Sequence, residues 1–343
     1  LAISQFETAL REVDGSGSLL PNASILAEVG WPMVHRGRWS DARMAAAEAL
    51  TIAVEGGLQI NALLAQLVDA TVLALRGEST AARQITAGVL AEIEPDENRL
   101  LAVRTWWANG MAAVADGDHE AAYGQFRQLF TADGTPWHYQ ASYAGLAELA
   151  AAAARTGRAT EAAAVLHRAV ALLPGPPSPR LHLLIGRATA LVAEPDRAGA
   201  HFERALADPI GDLWPFERAQ TRLDHAEWLR RRRRTVEARA GLTAALATFR
   251  RLGARPWVER AETELRASGI TVTRAEPDAF AELTPQQQQI VRLAAQGLTN
   301  REIGERLFLS PRTVGSHLYR TFPRLGVTAR SQLRDILTPA SDG

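Results

Sequence analysis

A glycine recurs every forty residues through the first half of this 343-residue chain, at Gly37, Gly77, Gly117 and Gly157. Five residues after each comes an alanine: Ala42, Ala82, Ala122 and Ala162. Pro195 with Ala200, then Arg233 with Ala238, extend the series at 38-residue steps. The flanking text repeats as well, as in "HRGRWSDARMAAAEAL", "LRGESTAARQITAGVL" and "RTGRATEAAAVLHRAV". A fixed period of this length is the mark of a supersecondary unit that cannot bury its apolar face alone and must stack on copies of itself. Glycine suits the position just after a helix because it enters the left-handed cap without a Cβ penalty. The small alanine then lets the second helix lie close to the first.

Between the turns, segments such as "LHLLIGRATALVA" place apolar residues at i, i+3, i+4 and i+7, the helical signature, and no alternating strand pattern of useful length occurs. The expected body is about six antiparallel helical hairpins over residues 22–267, stacked into a curved solenoid with a concave face. The period and grammar resemble tetratricopeptide-like repeats. Residues 1–21 read as the end of a preceding helix and a loop, since Leu1–Leu10 starts in mid-pattern with no cap.

Composition removes several chemistries. The chain has no cysteine, which excludes disulfides, thiolate metal sites and cysteine nucleophiles. All 38 of its Lys+Arg residues are arginine, so it holds no P-loop lysine, Schiff-base lysine or kinase-type ATP lysine. The histidines of the body show no H-x-x-x-H or H-E-x-x-H spacing, and acidic pairs such as Glu92 and Glu94 have no companion acid–base group. No catalytic residue, cofactor or metal ligand is therefore expected. Trp31, Trp106, Trp107, Trp137, Trp214 and Trp228 can line a groove on the concave face, although large aromatics at helical spacing usually build core. The run Arg230–Arg234 wraps all round a helix and reads as a solvated helix end. With no long apolar run and no charged-then-apolar leader, the expected location is the cytoplasm.

After Ala267 the helical pattern stops, and residues 268–282, with Gly269 and Pro277, read as a linker. The next 55 residues, 283–337, are densely punctuated, and a short tail, 338–343, follows. Thr284-Pro285-Gln286-Gln287 is a helix start with a capping box; Thr299-Asn300-Arg301-Glu302 is a second, and Ser310-Pro311 opens a third helix. Expected inward residues are Ile290, Leu293 and Ala294, then Ile303 and Leu307, then Val314, Leu318 and Phe322, with Leu333 and Ile336 in a short fourth helix. Eight arginines face three acidic residues (Glu302, Glu305, Asp335) in this segment, a net +5 in a chain whose formal net charge is +0. A small basic module on a neutral body is the electrostatic footprint of a nucleic-acid binder.

The stretch "LTPQQQQIVRLAAQGLTNREIGERLFLSPRTVGSHLYRTFPRLGVTARSQL" resembles the C-terminal domain of LuxR-type regulators, sharing Gly297, Asn300, Glu302, Ile303, Leu307, Ser310, Thr313, Val314, His317, Leu325 and Gly326 with the family pattern. It departs from that pattern at Gln287 and Gln289, where acids are usual, and at Gly315, where Lys or Arg is common. The resemblance implies a four-helix helix-turn-helix domain whose third helix enters the major groove of double-stranded DNA. It implies Ser316, Tyr319 and Arg320 at base edges. It also implies Thr299, Asn300, Ser310, Arg312, Thr313, His317, Arg324 and Arg330 at phosphates. A helical-repeat body joined to this terminus resembles the C-terminal part of the large ATP-binding LuxR-type regulators. The expectation is an all-α transcription regulator, an activator, binding DNA as a homodimer, with RNA polymerase as a further partner and an unknown ligand or protein on the repeats. The alternative is a solenoid adaptor whose helix-turn-helix unit serves protein interaction.

Overall fold

The computed structural model describes residues 19–269, 283–307, 309–323, 325, 327, 330 and 333. The expected helix over Leu1–Leu10, the linker from residue 270, Arg324, Ile336 and the tail lie outside the described residues. The chain is all-α and divides into two compact units, Leu1–Val272 and Thr273–Gly343. Among the described residues there is no strand, only an isolated bridge between Phe130 and Pro136.

The first unit is a row of hairpins. Its helices are α1 (Leu19–His35), α2 (Trp39–Glu55), α3 (Gln59–Arg76), α4 (Ser79–Ala91), α5 (Arg99–Ala115), α6 (His119–Arg127) and α7 (Leu146–Thr156). They continue as α8 (Ala159–Ala171), α9 (Pro179–Val192), α10 (Ala198–Ala207), α11 (Pro215–Arg231), α12 (Thr235–Leu252) and α13 (Arg255–Ala267). Odd-numbered helices pack on one another to form an inner layer, with the 3₁₀ turn Ala141–Gly145 bridging α5 and α7, and each even-numbered helix backs its partner from outside. Gly37, Gly77, Gly117 and Gly157 all take positive φ, between 74° and 81°. At the sixth turn Arg233 occupies the same left-handed conformation, at φ 63°. Ala42, Ala82, Ala122, Ala162 and Ala238 are buried where the two helices of a hairpin meet. The fifth repeat departs from the expected register. There Ala200 is exposed, and Gly199 takes the close approach, since a Cβ on it would lie 2.5 Å from the Trp228 ring.

Polar side chains tie neighbouring hairpins together at the same interval as the turns. Arg187 on α9 reaches Glu148 on α7 and Asp224 on α11, both at 2.7 Å and 39 and 37 residues away. Arg260 on α13 reaches Asp224 from the other side at 2.7 Å and Glu227 at 2.6 Å. Burial alone would push the Asp224 carboxyl up, but Arg187, Arg260 and Arg155 outweigh it and hold that group well below the ordinary carboxylate range.

The row is not an open solenoid. Phe216 at the start of α11 stacks edge-on against Trp39 of α2 (5.5 Å between centroids) and Trp257 of α13 (5.0 Å). Pro215 and Leu252 press on Gly37, and Pro256 presses on Gly77. Arg255 donates from Nε to the Arg76 carbonyl at 3.3 Å across 179 residues of chain. The last hairpins thus return to the first two turns, and the inner layer encloses a cavity of about 470 Å³. Of the tryptophans singled out above, Trp31 and Trp107 stand in its wall, whereas Trp106, Trp137 and Trp228 pack half-buried against the core. The arginine run closes α11: Arg230 pairs with Glu264, Arg232 with Asp196 and Arg234 with Glu237. Ser268 caps the end of α13, where its carbonyl accepts from Arg239. No helix among the described residues is long and apolar enough to cross a membrane.

Candidate nucleic-acid interface

The second unit contains α14 (Pro285–Ala295), α15 (Asn300–Leu307) and α16 (Pro311–Thr321). Each begins on a side-chain cap. Thr284 and Gln287 complete a reciprocal capping box, at 3.1 and 3.3 Å. Thr299 donates from its backbone N–H and its hydroxyl to Glu302, at 2.6 and 2.8 Å, and its hydroxyl accepts the Glu302 N–H. Those bonds, the backbone one foremost, hold the Glu302 carboxyl below its usual range. The Ser310 hydroxyl accepts the Thr313 N–H at 3.0 Å. These caps fix where each helix starts, and with it the angle between helices.

The turn between α15 and α16 is equally tight. Leu309 donates its N–H to the Gly304 carbonyl at 2.9 Å, and a Cβ on Gly304 would sit 2.4 Å from the Leu309 carbonyl oxygen. Only glycine admits that backbone. Gly304 escaped the sequence reading; its signal was a glycine inside an otherwise amphipathic eight-residue helix. The core beneath contains Ile290, Ala294, Ile303, Val314, Leu318 and Leu333, and Leu293, Leu307 and Phe322 pack against it half-buried. Val291, fully buried, joins them without having been anticipated.

Burial of Val314, Leu318 and Thr321 turns the opposite face of α16 outward. At 3.6 residues per turn, Arg312, Ser316, Tyr319 and Arg320 share that outer face. All four are exposed, Tyr319 to 82%, an unusual position for a large aromatic ring. No acidic residue lies between Leu309 and Phe322. Thr299 and Ser310 are exposed at their caps, while Thr313 and His317 are half-buried on the flank of α16. Asn300 and Arg330 meet each other: Arg330 donates to the Asn300 side chain at 2.6 Å and to the Leu298 carbonyl. Burial lowers the Arg330 guanidinium pKa from its ordinary value. This pair braces the turn after α14 against the start of α15.

A family model for bacterial regulatory proteins of the luxR family matches residues 281–337. The same segment is 46% identical over 56 residues to an HTH-type transcriptional regulator of Mycobacterium bovis, a match spanning 16% of this chain and 6% of that protein. It is 36% identical over 55 residues to the DNA-binding transcriptional activator DevR/DosR of Mycobacterium tuberculosis, spanning 16% of this chain and 25% of the relative. It is also 38% identical over 50 residues to the spore germination protein GerE of Bacillus subtilis, spanning 15% of this chain and 68% of the relative.

Proposed function

Since the chain belongs, through its C-terminal unit, to the luxR family of bacterial regulatory proteins, we propose that it is a DNA-binding transcription regulator, a sequence-specific activator whose helical array receives the controlling signal. The observation that carries the reading is the outer face of α16, exposed, free of acids and set by two capped helix starts. In this reading α16 lies in the major groove with Ser316, Tyr319 and Arg320 at base edges, where hydrogen bonds and apolar contacts specify sequence. Arg312, Thr313 and His317 on α16, with Ser310, Thr299 and Asn300 at the helix starts, hold phosphate. Arg330 acts through Asn300, whose side chain it orients, and Arg324 is assigned to phosphate on the family pattern alone. Two copies bind paired half-sites, and the array, which together with the helix-turn-helix unit resembles the C-terminal part of large ATP-binding LuxR-type regulators, passes its state to the DNA-binding unit and onward to RNA polymerase.

A random-duplex selection at fixed, near-physiological salt, followed by anisotropy titration of the enriched sequence, tests this. The expected outcome is enrichment of half-sites about one helical turn apart. Affinity should also fall steeply with salt, log K changing by about −0.9 per phosphate contact for each unit of log salt. Uniform weak binding without enrichment would instead favour the adaptor reading.

A further inference from the structure

The cavity inside the helical array has features that packing does not explain. Trp31 Nε1, Thr71 Oγ1, Arg104 Nη1 and Glu217 Oε2 are buried polar atoms without a hydrogen-bond partner among the described residues, and all four residues line this cavity. Buried polar groups ordinarily find partners, so four around one space call for an occupant. Thr71 is instructive. The hydroxyls of Thr105, Thr189 and Thr221 each donate to the carbonyl four residues back in their helices, at 2.8 Å, whereas that of Thr71 does not.

The charges are also uneven. Glu148 in the wall is neutralised by Arg187, and Glu217 accepts both Arg180 bonds on one oxygen, leaving the other free. Among the described residues Arg104 has no ion pair; its guanidinium lies 3.7 Å from the centroid of the Trp31 ring. Burial, partly offset by Glu28, pulls its pKa down to about 10, so it is a full cation at neutral pH. A desolvated cation whose nearest carboxylate, Glu28 at the rim of the cavity, is exposed and makes no ion pair with it is costly. Water could fill the polar positions, but the walls between them include Trp107, Leu184 and Phe216, which water does not satisfy. A space of about 470 Å³ falls within the ~300–1,000 Å³ range of small-molecule sites, with their few polar groups among apolar walls.

We infer that this cavity binds a small organic anion with a flat apolar body and a hydroxyl or amine donor. Its acidic group sits between Arg104 and the Trp31 indole N–H, its donor on the free Glu217 oxygen, and its body against Trp107, Leu184 and Phe216. The inference rests on the array being the receiving domain only for the use made of binding. The binding itself is read without DNA, so failure to find an operator leaves it standing.

The test uses two probes of similar body, 8-anilino-1-naphthalenesulfonate and its uncharged analogue N-phenyl-1-naphthylamine, titrated into the full chain by calorimetry and by tryptophan quenching. The expected result is one anionic probe per chain, bound at least tenfold more tightly than the neutral one. Arg104→Gln should erase that preference by weakening the anion tenfold or more and the neutral probe less than twofold. Ala144→Phe, which fills the cavity from the 3₁₀ turn, should abolish both. Thermal melts confirm folding; should Arg104→Gln not fold, the wild-type preference and Ala144→Phe carry the test. Equal binding of the two probes, no saturation at one per chain, or unchanged binding in Ala144→Phe would each overturn the inference.

Discussion

The two units set most of their helices by different means; in the array only α6 and α9 among the described helices start on a side-chain cap, Asp118 and Ser178. In the array, α2, α3, α4, α5, α8, α12 and α13 all begin without a side-chain cap. Their ends are fixed by neighbouring hairpins and by polar pairs one repeat apart. In the C-terminal unit every described helix starts on a capping hydroxyl, Thr284, Thr299 or Ser310. The difference follows from size. An array of stacked hairpins has enough shared interface to dictate helix boundaries from tertiary contact. A unit of roughly 55 residues has little core and takes its geometry from local bonds, each worth about 1 kcal/mol. The array therefore spends its side chains inward, on closure and on the cavity, while the small unit leaves a face of α16 unspent.

The largest effect should come from cutting the inward network. Arg187 is 1% exposed between Glu148 and Asp224, so Arg187→Met leaves the buried Glu148 without its cation and Asp224 with Arg260 and Arg155 alone. A loss of about 3–5 kcal/mol is expected in denaturant unfolding of the array. The pH dependence has a defined sign. Because the folded-state pKa of Asp224 is depressed, its contribution is present above the unfolded carboxylate pKa of about 4 and is lost as pH falls below it. Acid destabilisation should be shallower in the variant; an unchanged slope would remove Asp224 from the account.

A second pair of substitutions separates closure from repetition. Gly77 and Gly157 share a left-handed turn, and alanine at either costs roughly 1–2 kcal/mol in backbone strain. A Cβ at Gly77 also meets the rigid Pro256 ring at 2.7 Å, whereas at Gly157 it meets nothing within 4 Å. Gly77→Ala should therefore destabilise clearly more than Gly157→Ala, measured by thermal or urea unfolding. Equal costs would mean that the return of the last helices to the first turns adds nothing.

That contrast also marks what the sequence could reveal. The turn glycines, the buried alanines and the capping boxes are local signals, in which residue type and a short spacing decide the geometry. Arg233 in a glycine's conformation was visible only as a place in the series, because the repeat overrides the residue's own preference. The contact of Gly37 with Leu252, and the cavity inside the array, have no local signature. They arise from small rotations accumulated over six hairpins. The Arg187 network sits between these extremes. Its opposite charges lie one repeat apart, a pattern open to inspection once the period is known. On α16, periodicity identified the outer face, but not that Arg330 would pair with Asn300.

On the outward side of the comparison, Tyr319→Ala should leave unfolding of the C-terminal unit unchanged, since the ring is 82% exposed. In anisotropy titrations it should weaken binding to the selected duplex by about 1–3 kcal/mol and relax preference at one position. Arg312→Ala should weaken selected and random duplexes alike and lower the salt slope by about one. If both variants behaved identically on the two duplexes, the division of α16 into base-facing and phosphate-facing positions would fall.

The smallest effect tests how much the local rule alone can give. Gly315 lies inside α16, where alanine is favoured by about 1 kcal/mol on helix propensity. A Cβ there would meet only the Asn300 side-chain nitrogen, at 3.3 Å. Asn300 is held through its oxygen by Arg330, so it must give by a few tenths of an ångström without losing that bond. Gly315→Ala should therefore stabilise the unit by something under 1 kcal/mol. Gly315→Arg, restoring the cationic residue common in the family pattern, should steepen the salt dependence of DNA binding by about one phosphate contact. Destabilisation by alanine would show that the Asn300–Arg330 brace is rigid, and that even in this locally specified unit one tertiary pair outranks propensity.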